Sequence, residues 1–182
     1  MGIELKPLNF NDIIDFKCGY DTMDTFIQCS LEKSTLYNFC KAYGLYITDC
    51  NELIAIVAIS FGNLYLGEDY IADLLDGFSN SEMIDIEDDY KELFRSKSKY
   101  PSMEISYLAV NSKYQGQGYG SSILDAIEEK SKSQELAGVQ FLTLDAVCTS
   151  DYSSVDFYTK CGFTRCSDSV IHDTIRMYRP IL

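Results

Sequence analysis

The chain has 182 residues, of which 46% are apolar and 13% aromatic, and its formal net charge at pH 7 is −13. This length and apolar content predict one folded domain with a substantial core and argue against wholesale disorder. The negative charge argues against a nucleic-acid partner, because proteins that grip a phosphate backbone usually carry a basic face. No apolar run approaches the ~20 residues that a membrane-spanning helix needs.

Several classes of site are disfavoured by the cysteines and the histidine. Seven cysteines, an odd number without a Cys-x-x-Cys pair, are typical of small buried side chains in a reducing compartment. His172 is the only histidine, so a His-rich zinc site is excluded and a Ser-His-Asp hydrolase would depend on this one residue. The first residues lack the basic-then-apolar pattern of a signal peptide. We expect a cytoplasmic protein without a metal or a membrane segment.

The first part of the chain predicts a strand, a helix and a hairpin, in that order. Residues 3–8 form a strand that ends near a proline, and residues 30–43 carry apolar side chains at helical spacing. Residues 45–48 and 53–60 are two β-rich runs separated by a short polar turn. Such a pair predicts an antiparallel hairpin.

Residues 67–99 are irregular and strongly acidic. Ten acidic residues and one basic residue lie between Glu68 and Glu92. We interpret the segment as an insertion with one or two surface helices within a single domain, residues 1–182. Two interpretations of its charge stay open, a solvated surface or a collar that attracts a cationic acceptor such as a polyamine, an aminoglycoside or a basic peptide.

Strands and helices alternate in the second half of the chain. The predicted elements are a strand at 103–110, a helix at 121–132, a strand at 139–147, a helix at 153–161, and closing strands at 163–165 and 170–178. The strand–helix–strand order predicts a parallel pair of strands with a right-handed crossover.

A glycine-rich turn lies between the strand 103–110 and the next helix. Its sequence from Gln115 to Gly120 places glycines at 116, 118 and 120. Glycine lets the backbone approach a ligand closely, and a helix N-terminus presents several N–H groups to an anion. The turn therefore predicts a phosphate-bearing ligand. A P-loop would need a lysine before its Ser/Thr, which is missing here, and the Rossmann fingerprint has a different glycine spacing.

The turn and its surroundings resemble three elements of the GNAT superfamily of N-acetyltransferases, in the right order. Residues 115–120 resemble the Gln/Arg-x-x-Gly-x-Gly/Ala signature, and residues 106–110 and 142–147 resemble strands four and five. Residues 154–163 are similar to the Ala-x-x-Phe-Tyr-x-x-x-Gly-Phe signature. The resemblance implies an α/β (α+β) GNAT fold, a mixed twisted sheet of about six to seven strands flanked by helices, with strands four and five splayed apart.

The same resemblance implies a co-substrate and the residues that hold it. The glycine turn would bind the pyrophosphate of acetyl-CoA, and the backbone of strand four would pair with pantetheine and polarise the thioester carbonyl. The residues implied in binding are Leu108, Ala109, Val110, Gln115, Gly116, Gln117, Gly118, Tyr119, Gly120 and Ser121. The implied activity is direct transfer of an acetyl group to a primary amine of a small molecule or a protein.

Three side chains are candidates for catalysis by this resemblance. Tyr158 would protonate the departing thiolate, a task that a phenol can perform. Glu104 and Asp145 compete for the role of the base, and a water chain without a dedicated base is the third alternative. Strand alternation places Glu104, Ser106, Leu108 and Val110 on one face. We favour Glu104 over Asp145 because its carboxylate would sit in a strand that begins beside the cleft.

The acceptor is the least determined part of the prediction. Residues 16–27 resemble the opening of GNAT toxins from bacterial toxin–antitoxin pairs, which acetylate the amino group of aminoacyl-tRNA. The net charge and the acidic segment depart from that branch, so we favour a small or protein-borne amine, including a cationic one. A toxin-type acetyltransferase and a catalytically silent CoA-binding module stay as alternatives. The sequence fixes neither the oligomeric state, for which a homodimer is an option, nor an antitoxin partner.

Overall fold

The computed structural model describes residues 2–80, 88–166 and 170–181. Within these ranges the strands are β1 (Ile3–Pro7), β2 (Lys41–Ile47), β3 (Glu52–Leu64), β4 (Tyr100–Val110), β5 (Phe141–Val147), β6 (Thr164–Arg165) and β7 (Thr174–Pro180). The α-helices are α1 (Asp21–Cys29), α2 (Leu31–Leu36), α3 (Glu68–Asn80), α4 (Asp88–Arg95), α5 (Tyr119–Ser133) and α6 (Val155–Lys160). The predicted fold class, a mixed sheet with flanking helices, is confirmed.

The seven described strands form one sheet in the order β1-β2-β3-β4-β5-β7-β6. Every neighbouring pair is antiparallel except β4 and β5, which are parallel and joined through α5. The predicted hairpin is β2 and β3, and the predicted parallel pair is β4 and β5. Both predictions rest on local patterns, a polar turn and a strand–helix–strand order, which leave few topologies open.

The parallel pair is short and then separates. Strands β4 and β5 are in register only from Ser102 opposite Phe141 to Glu104 opposite Thr143. Beyond Glu104, β4 continues for six residues to Val110 along β3 alone. The predicted splay between strands four and five is therefore present, and it leaves one edge of β4 without a partner strand among the described residues.

A β-bulge at Ser106 accompanies this separation. In the β3–β4 register Ile105 lies opposite Ile59 and Tyr107 lies opposite Ala58, so Ser106 is an extra residue in β4. A bulge bends its strand and exchanges the faces of the residues on either side of it. As a result Ile105 packs in the same core cluster as Leu108, whereas regular alternation would put them on opposite faces.

The two faces of the sheet carry different helices. Helices α5 and α6 cover one face, where Ile123 and Leu124 pack against Leu142 and Leu144 in the main core cluster. Helices α1 and α2 cover the other face through a second cluster of apolar side chains. A third cluster joins α3 and α4 to the far end of the sheet, away from the glycine turn.

The predicted helix at 30–43 is wrong in its second half. Helix α2 ends at Leu36, Asn38 has a left-handed φ of 60°, and β2 begins at Lys41. The helical spacing was misleading because Leu36 and Phe39 are 71% and 75% exposed and belong to no core face. Pairing of Lys41–Ile47 with β3 decides the conformation instead.

The acidic segment holds two helices, α3 and α4, which agrees with the one or two surface helices predicted for it. Part of the segment, residues 81–87, lies outside the described residues. Leu75 of α3 and Phe94 of α4 are buried against the end of the sheet. That the segment is an insertion into a single domain stays a prediction.

Candidate active site

A cavity of about 740 Å³ opens where β4 and β5 separate, and it reaches both faces of the sheet. Its walls come from the second half of β4, the glycine turn, the loop after β5, α6 and the chain just before α1. The cavity brings together Tyr158, Asp145 and all the predicted binding residues except Gln117. Glu104 is not part of its wall.

Backbone groups of β4 face this cavity. The N–H of Asn111 donates to the carbonyl of Ile54 in β3 at 2.8 Å. Because alternate residues of a strand point their N–H and C=O groups to the same edge, those of Leu108 and Val110 point away from β3. The Val110 carbonyl accepts a hydrogen bond from Nε2 of Gln115 at 3.0 Å. Among the described residues, the N–H groups of Leu108 and Val110 have no partner strand on this side of β4.

The glycine turn has the geometry of an anion site. Gly116 and Gly118 have φ values of +73° and +85°, which only glycine adopts without strain, and Gly118 is the residue before α5. A Cβ at either position would meet at most one serine hydroxyl, at 4.0 Å, so the space beside the backbone is open. In the described part of the chain, the N–H groups from Gly116 to Ser121 donate to no protein acceptor.

Gly120 serves packing rather than turn geometry. A Cβ at Gly120 would lie 3.0 Å from Cζ of Phe157 and 3.7 Å from Cγ2 of Val110. The missing side chain therefore lets α5 approach α6 and β4 closely. This contact fixes the N-terminus of α5 beside the open edge of β4.

The turn is braced by the segment before α1. Nε2 of Gln115 donates to the Cys18 carbonyl at 2.7 Å, and the Ser112 N–H donates to the Lys17 carbonyl at 2.9 Å. The side chain of Gln115 is thus engaged within the protein, and a contact of Gln115 with a ligand stays a prediction for its backbone. Sequence reasoning missed this role, because nothing in residues 16–27 signals contact with a turn about 97 residues away.

Asp24 holds the bracing segment in place. Its carboxylate is buried and accepts hydrogen bonds from the N–H groups of Cys18 at 2.7 Å and Gly19 at 3.3 Å. Burial by itself would raise the pKa of Asp24, but these hydrogen bonds outweigh it and lower the pKa. The carboxylate is therefore charged at neutral pH and anchors the start of α1.

Tyr158 lies in α6, is 8% exposed, and packs edge-on against Phe157 and Phe163. Burial raises its pKa well above the ordinary value of 10, and the nearby phenol of Tyr152 adds to the shift. The Tyr158 hydroxyl therefore stays protonated throughout the physiological range. In this state the phenol can donate a proton but cannot act as a phenolate base, and the raised pKa makes it a weak acid.

An arginine that sequence reasoning missed joins the two candidate bases. Nη2 of Arg176 lies 2.8 Å from Oε2 of Glu104, and Nη1 lies 3.3 Å from Oδ2 of Asp145. Burial alone would lower the pKa of Arg176, but the two carboxylates raise it, so the guanidinium stays charged. Asp145 in β5 lies opposite Arg176 in β7. This pairing could have indicated the ion pair, but it is visible only once the strand register is known.

The predicted face of Glu104 is wrong. Leu108 and Val110 pack with Met103 and Ile105 in the cluster on the α5 side, so Glu104 lies on the opposite side of β4. The bulge at Ser106 breaks the alternation on which the prediction depended. Glu104 and Asp145 share the face covered by α1, and of the two only Asp145 reaches the cavity.

Two tyrosines close the cavity wall near Tyr158. Tyr20, just before α1, and Tyr152, in the loop after β5, stack with ring centroids 4.9 Å apart and an interplanar angle of 24°. Sequence reasoning missed both, because fourteen tyrosines give no indication of which ones meet. Their contact joins the two segments that flank the cavity.

The described residues show neither a metal-binding cluster nor a helix that could span a membrane. No group of three or more His, Cys, Asp or Glu side chains among the described residues is arranged to hold a metal ion. Across residues 2–80, 88–166 and 170–181, no helix is both long and apolar enough to cross a bilayer.

The model of the acetyltransferase (GNAT) family matches residues 23–163. This match covers well over half of the chain, and the chain therefore belongs to the GNAT family of acetyltransferases. The enzyme class predicted from the glycine turn and the Tyr158 segment is confirmed. No curated protein sequence matches the chain significantly.

Solved structures with the same fold include several bacterial toxins. A bacterial toxin is 20% identical with a TM-score of 0.71, over 98% of this chain and 90% of its own. A tyrosine-to-phenylalanine mutant of the toxin AtaT, bound to acetyl-CoA and the C-terminus of the antitoxin AtaR, is 16% identical with a TM-score of 0.63, over 98% and 93%. AtaT complexed with acetyl-methionyl-tRNAfMet is 15% identical with a TM-score of 0.65, over 96% and 94%. At these identities the likeness concerns the fold.

Proposed function

We propose that this acetyltransferase takes its acetyl group from acetyl-CoA and transfers it directly to a primary amine. The observation that carries the proposal is the meeting of three features in one cavity. These are the open N-terminus of α5 after Gly118, the unpaired N–H groups of Leu108 and Val110, and the protonated Tyr158. The helix N-terminus suits the pyrophosphate, and the N–H groups of β4 suit the thioester carbonyl and the pantetheine amides. The Tyr158 hydroxyl can give its proton to the leaving thiolate.

The residues fit this co-substrate without a basic side chain at the turn. The N–H groups from Gly116 to Ser121 have no protein acceptor in the described chain, and the positive end of the α5 dipole adds to them. Acetyl-CoA supplies the acetyl thioester. The open edge of β4 would hold its carbonyl oxygen, which gains negative charge as the amine adds.

The proposed transfer forms one bond and breaks one. The neutral amine nitrogen attacks the thioester carbonyl carbon, an N–C bond forms, and the C–S bond breaks. The departing sulfur takes the proton of the Tyr158 hydroxyl, and the amine releases its extra proton to Asp145, directly or through one water. Proton transfer from the Asp145 side back to Tyr158 through solvent restores the starting state.

We assign the base to Asp145 and a positioning role to Glu104. Asp145 is in the cavity wall with its side chain 51% exposed, whereas Glu104 lies behind it on the other side of Arg176. We expect Asp145→Asn to lower kcat/KM about 10²-fold at neutral pH, because general-base assistance is worth about that much. The loss should shrink as pH rises and more amine is already neutral.

The matched control is Glu104→Gln. It should change kcat/KM by less than about fivefold, because the lost ion pair is partly exposed and worth about 1 kcal/mol or less. Initial rates of thiol release between pH 6 and 9 compare the two variants. A larger loss in Glu104→Gln than in Asp145→Asn would assign the base to Glu104 instead.

A second candidate function is that of a toxin acting on aminoacyl-tRNA. It is supported by the resemblance of residues 16–27 to GNAT toxins and by the fold shared with AtaT, a structure of which holds acetyl-methionyl-tRNAfMet. The net charge of −13 supports the first candidate, a small or protein-borne amine. An antitoxin-like partner belongs to the second candidate, and a homodimer is an option for both.

The test is an acceptor screen with acetyl-CoA that follows both thiol release and product mass. The panel contains small amines, peptides with a free N-terminus, and charged tRNA. Acetylation of small amines or peptides supports the first candidate, and exclusive acetylation of charged tRNA, with growth arrest on expression, supports the second. Binding of CoA without turnover of any acceptor would mean that the protein is a CoA-binding module and not an active enzyme.

The compartment proposed for the reaction is the cytoplasm. All seven cysteines of the chain are free thiols. Unpaired cysteines in this number are typical of a reducing compartment.

A further inference from the structure

The cavity carries little charge on its acceptor side. Among the described residues that line it, only Asp145 is acidic and only Lys160 is basic. None of the lining residues belongs to the acidic segment 67–99, whose described helices pack at the far end of the sheet. The acidic segment therefore forms no collar around this cavity within the described structure, and a polyamine would find one carboxylate for several positive charges.

The acceptor side is instead aromatic and apolar. The stacked rings of Tyr20 and Tyr152 form one part of the wall, and Met23 follows on the first turn of α1. Tyr107 completes the wall, held by a ring stack with Phe26 at 3.8 Å between centroids. These side chains and Asp145 lie on the face covered by α1, opposite the face covered by α5.

Hydrogen bonds hold the backbone of both segments that carry the Tyr20–Tyr152 stack. Tyr20 precedes α1, whose start is fixed by the hydrogen bonds from Cys18 and Gly19 to Asp24. Tyr152 lies in a loop closed by the Thr149 hydroxyl, which donates to the Tyr152 carbonyl at 2.9 Å and accepts from the Tyr152 N–H at 3.0 Å. The backbone at Tyr152 and just before Tyr20 is therefore held by bonds that do not depend on a ligand, and the two rings stack on one another.

We infer that the acceptor is a monoamine whose amino group is attached to an apolar group, aromatic or thioether-bearing, that packs against Tyr20, Tyr152 and Met23. This inference rests on the proposed function and names the class of its acceptor. Asp145 is the acidic side chain nearest the amino group, and the tyrosine rings attract its charged form by cation–π contact. The ammonium loses one proton to solvent before the neutral amine attacks. A second charged group on the acceptor would lose its water with no partner in this wall.

The experiment compares acceptors within matched sets. The first set compares phenethylamine with spermidine. The second compares phenylalanine amide and methionine amide with the charged lysine amide and aspartate amide. The third compares tRNA charged with methionine and tRNA charged with lysine. The inference predicts that kcat/KM for the apolar member exceeds that for the charged member by about tenfold or more in every set that is acetylated, consistent with the cost of burying an unpaired charge.

Variants at the stack test the wall itself. Tyr152→Leu should raise KM for the apolar acceptor about fivefold to tenfold with kcat changed less, because the ring contact is lost. Tyr152→Phe keeps the ring and should keep KM. The control Tyr37→Leu makes the same exchange at a residue that is 69% exposed and outside the cavity, and it should leave KM unchanged.

The outcomes separate the inference from the function on which it rests. Acetylation of amines with no preference for apolar groups, or an unchanged KM in Tyr152→Leu, overturns the inference and leaves the proposed function standing. No acetylation of any amine, with acetyl-CoA bound, overturns both. Preference for the apolar member in each acetylated set, lost in Tyr152→Leu and retained in Tyr152→Phe, establishes the inference.

Discussion

Replacing Tyr158 with phenylalanine is expected to lower kcat about 10²-fold or more, because general acid catalysis contributes about 10² to 10⁴. The ring of Tyr158 packs on Phe157 and Phe163, and phenylalanine keeps these contacts. The dissociation constant of acetyl-CoA should therefore stay nearly unchanged. Stopped-flow or steady-state thiol release gives kcat, and calorimetry gives the dissociation constant.

The pH dependence sharpens this prediction. Because burial raises the pKa of Tyr158 above 10, its hydroxyl is still protonated at pH 9.5, and the wild-type rate should not fall on the alkaline side up to that point. Tyr37→Phe, at an exposed site, is the matched control and should behave as wild type. A Tyr158→Phe enzyme with wild-type kcat would mean that water, and not this phenol, protonates the thiolate.

Replacing Gly118 with glutamate should raise the dissociation constant of acetyl-CoA about 10²-fold or more. Two effects add, since the φ of +85° at Gly118 strains any side chain by about 1 kcal/mol or more and a carboxylate beside the α5 N-terminus repels the pyrophosphate. Calorimetric titration with CoA measures the loss. Denaturation curves show how much of it comes from a less stable fold.

Two variants divide this effect into its parts. Gly118→Gln has the same strain without the charge, so its difference from Gly118→Glu reports the repulsion of the pyrophosphate. Gly138→Glu places the same charge in an exposed loop with open space around the Cβ and no left-handed φ, and it should bind CoA normally. Unchanged CoA affinity in Gly118→Glu would mean that the pyrophosphate does not bind at this turn.

The binding half of the site could be predicted from sequence because it is local. The turn from Gln115 to Gly120 and the helix after it are contiguous in sequence. Glycine is needed at 116 and 118 because both residues have a left-handed φ. The same holds for the parallel pair, which follows from strand–helix–strand order. The exception is the helix predicted over 30–43, where exposed apolar residues imitated a buried face.

The sequence by itself determined the family, the fold class and the place of the glycine turn, since each depends on short segments whose spacing is fixed by the chain. Only the tertiary structure decided which carboxylate reaches the cavity. Glu104 lies where β4 and β5 are still paired and on the other side of Arg176, whereas Asp145 lies where the two strands have separated. Arg176, 72 residues from Glu104, and the Tyr20–Tyr152 stack were likewise decided by folding. Side chains distant in sequence meet through strand register and helix packing, and no local pattern encodes such a meeting.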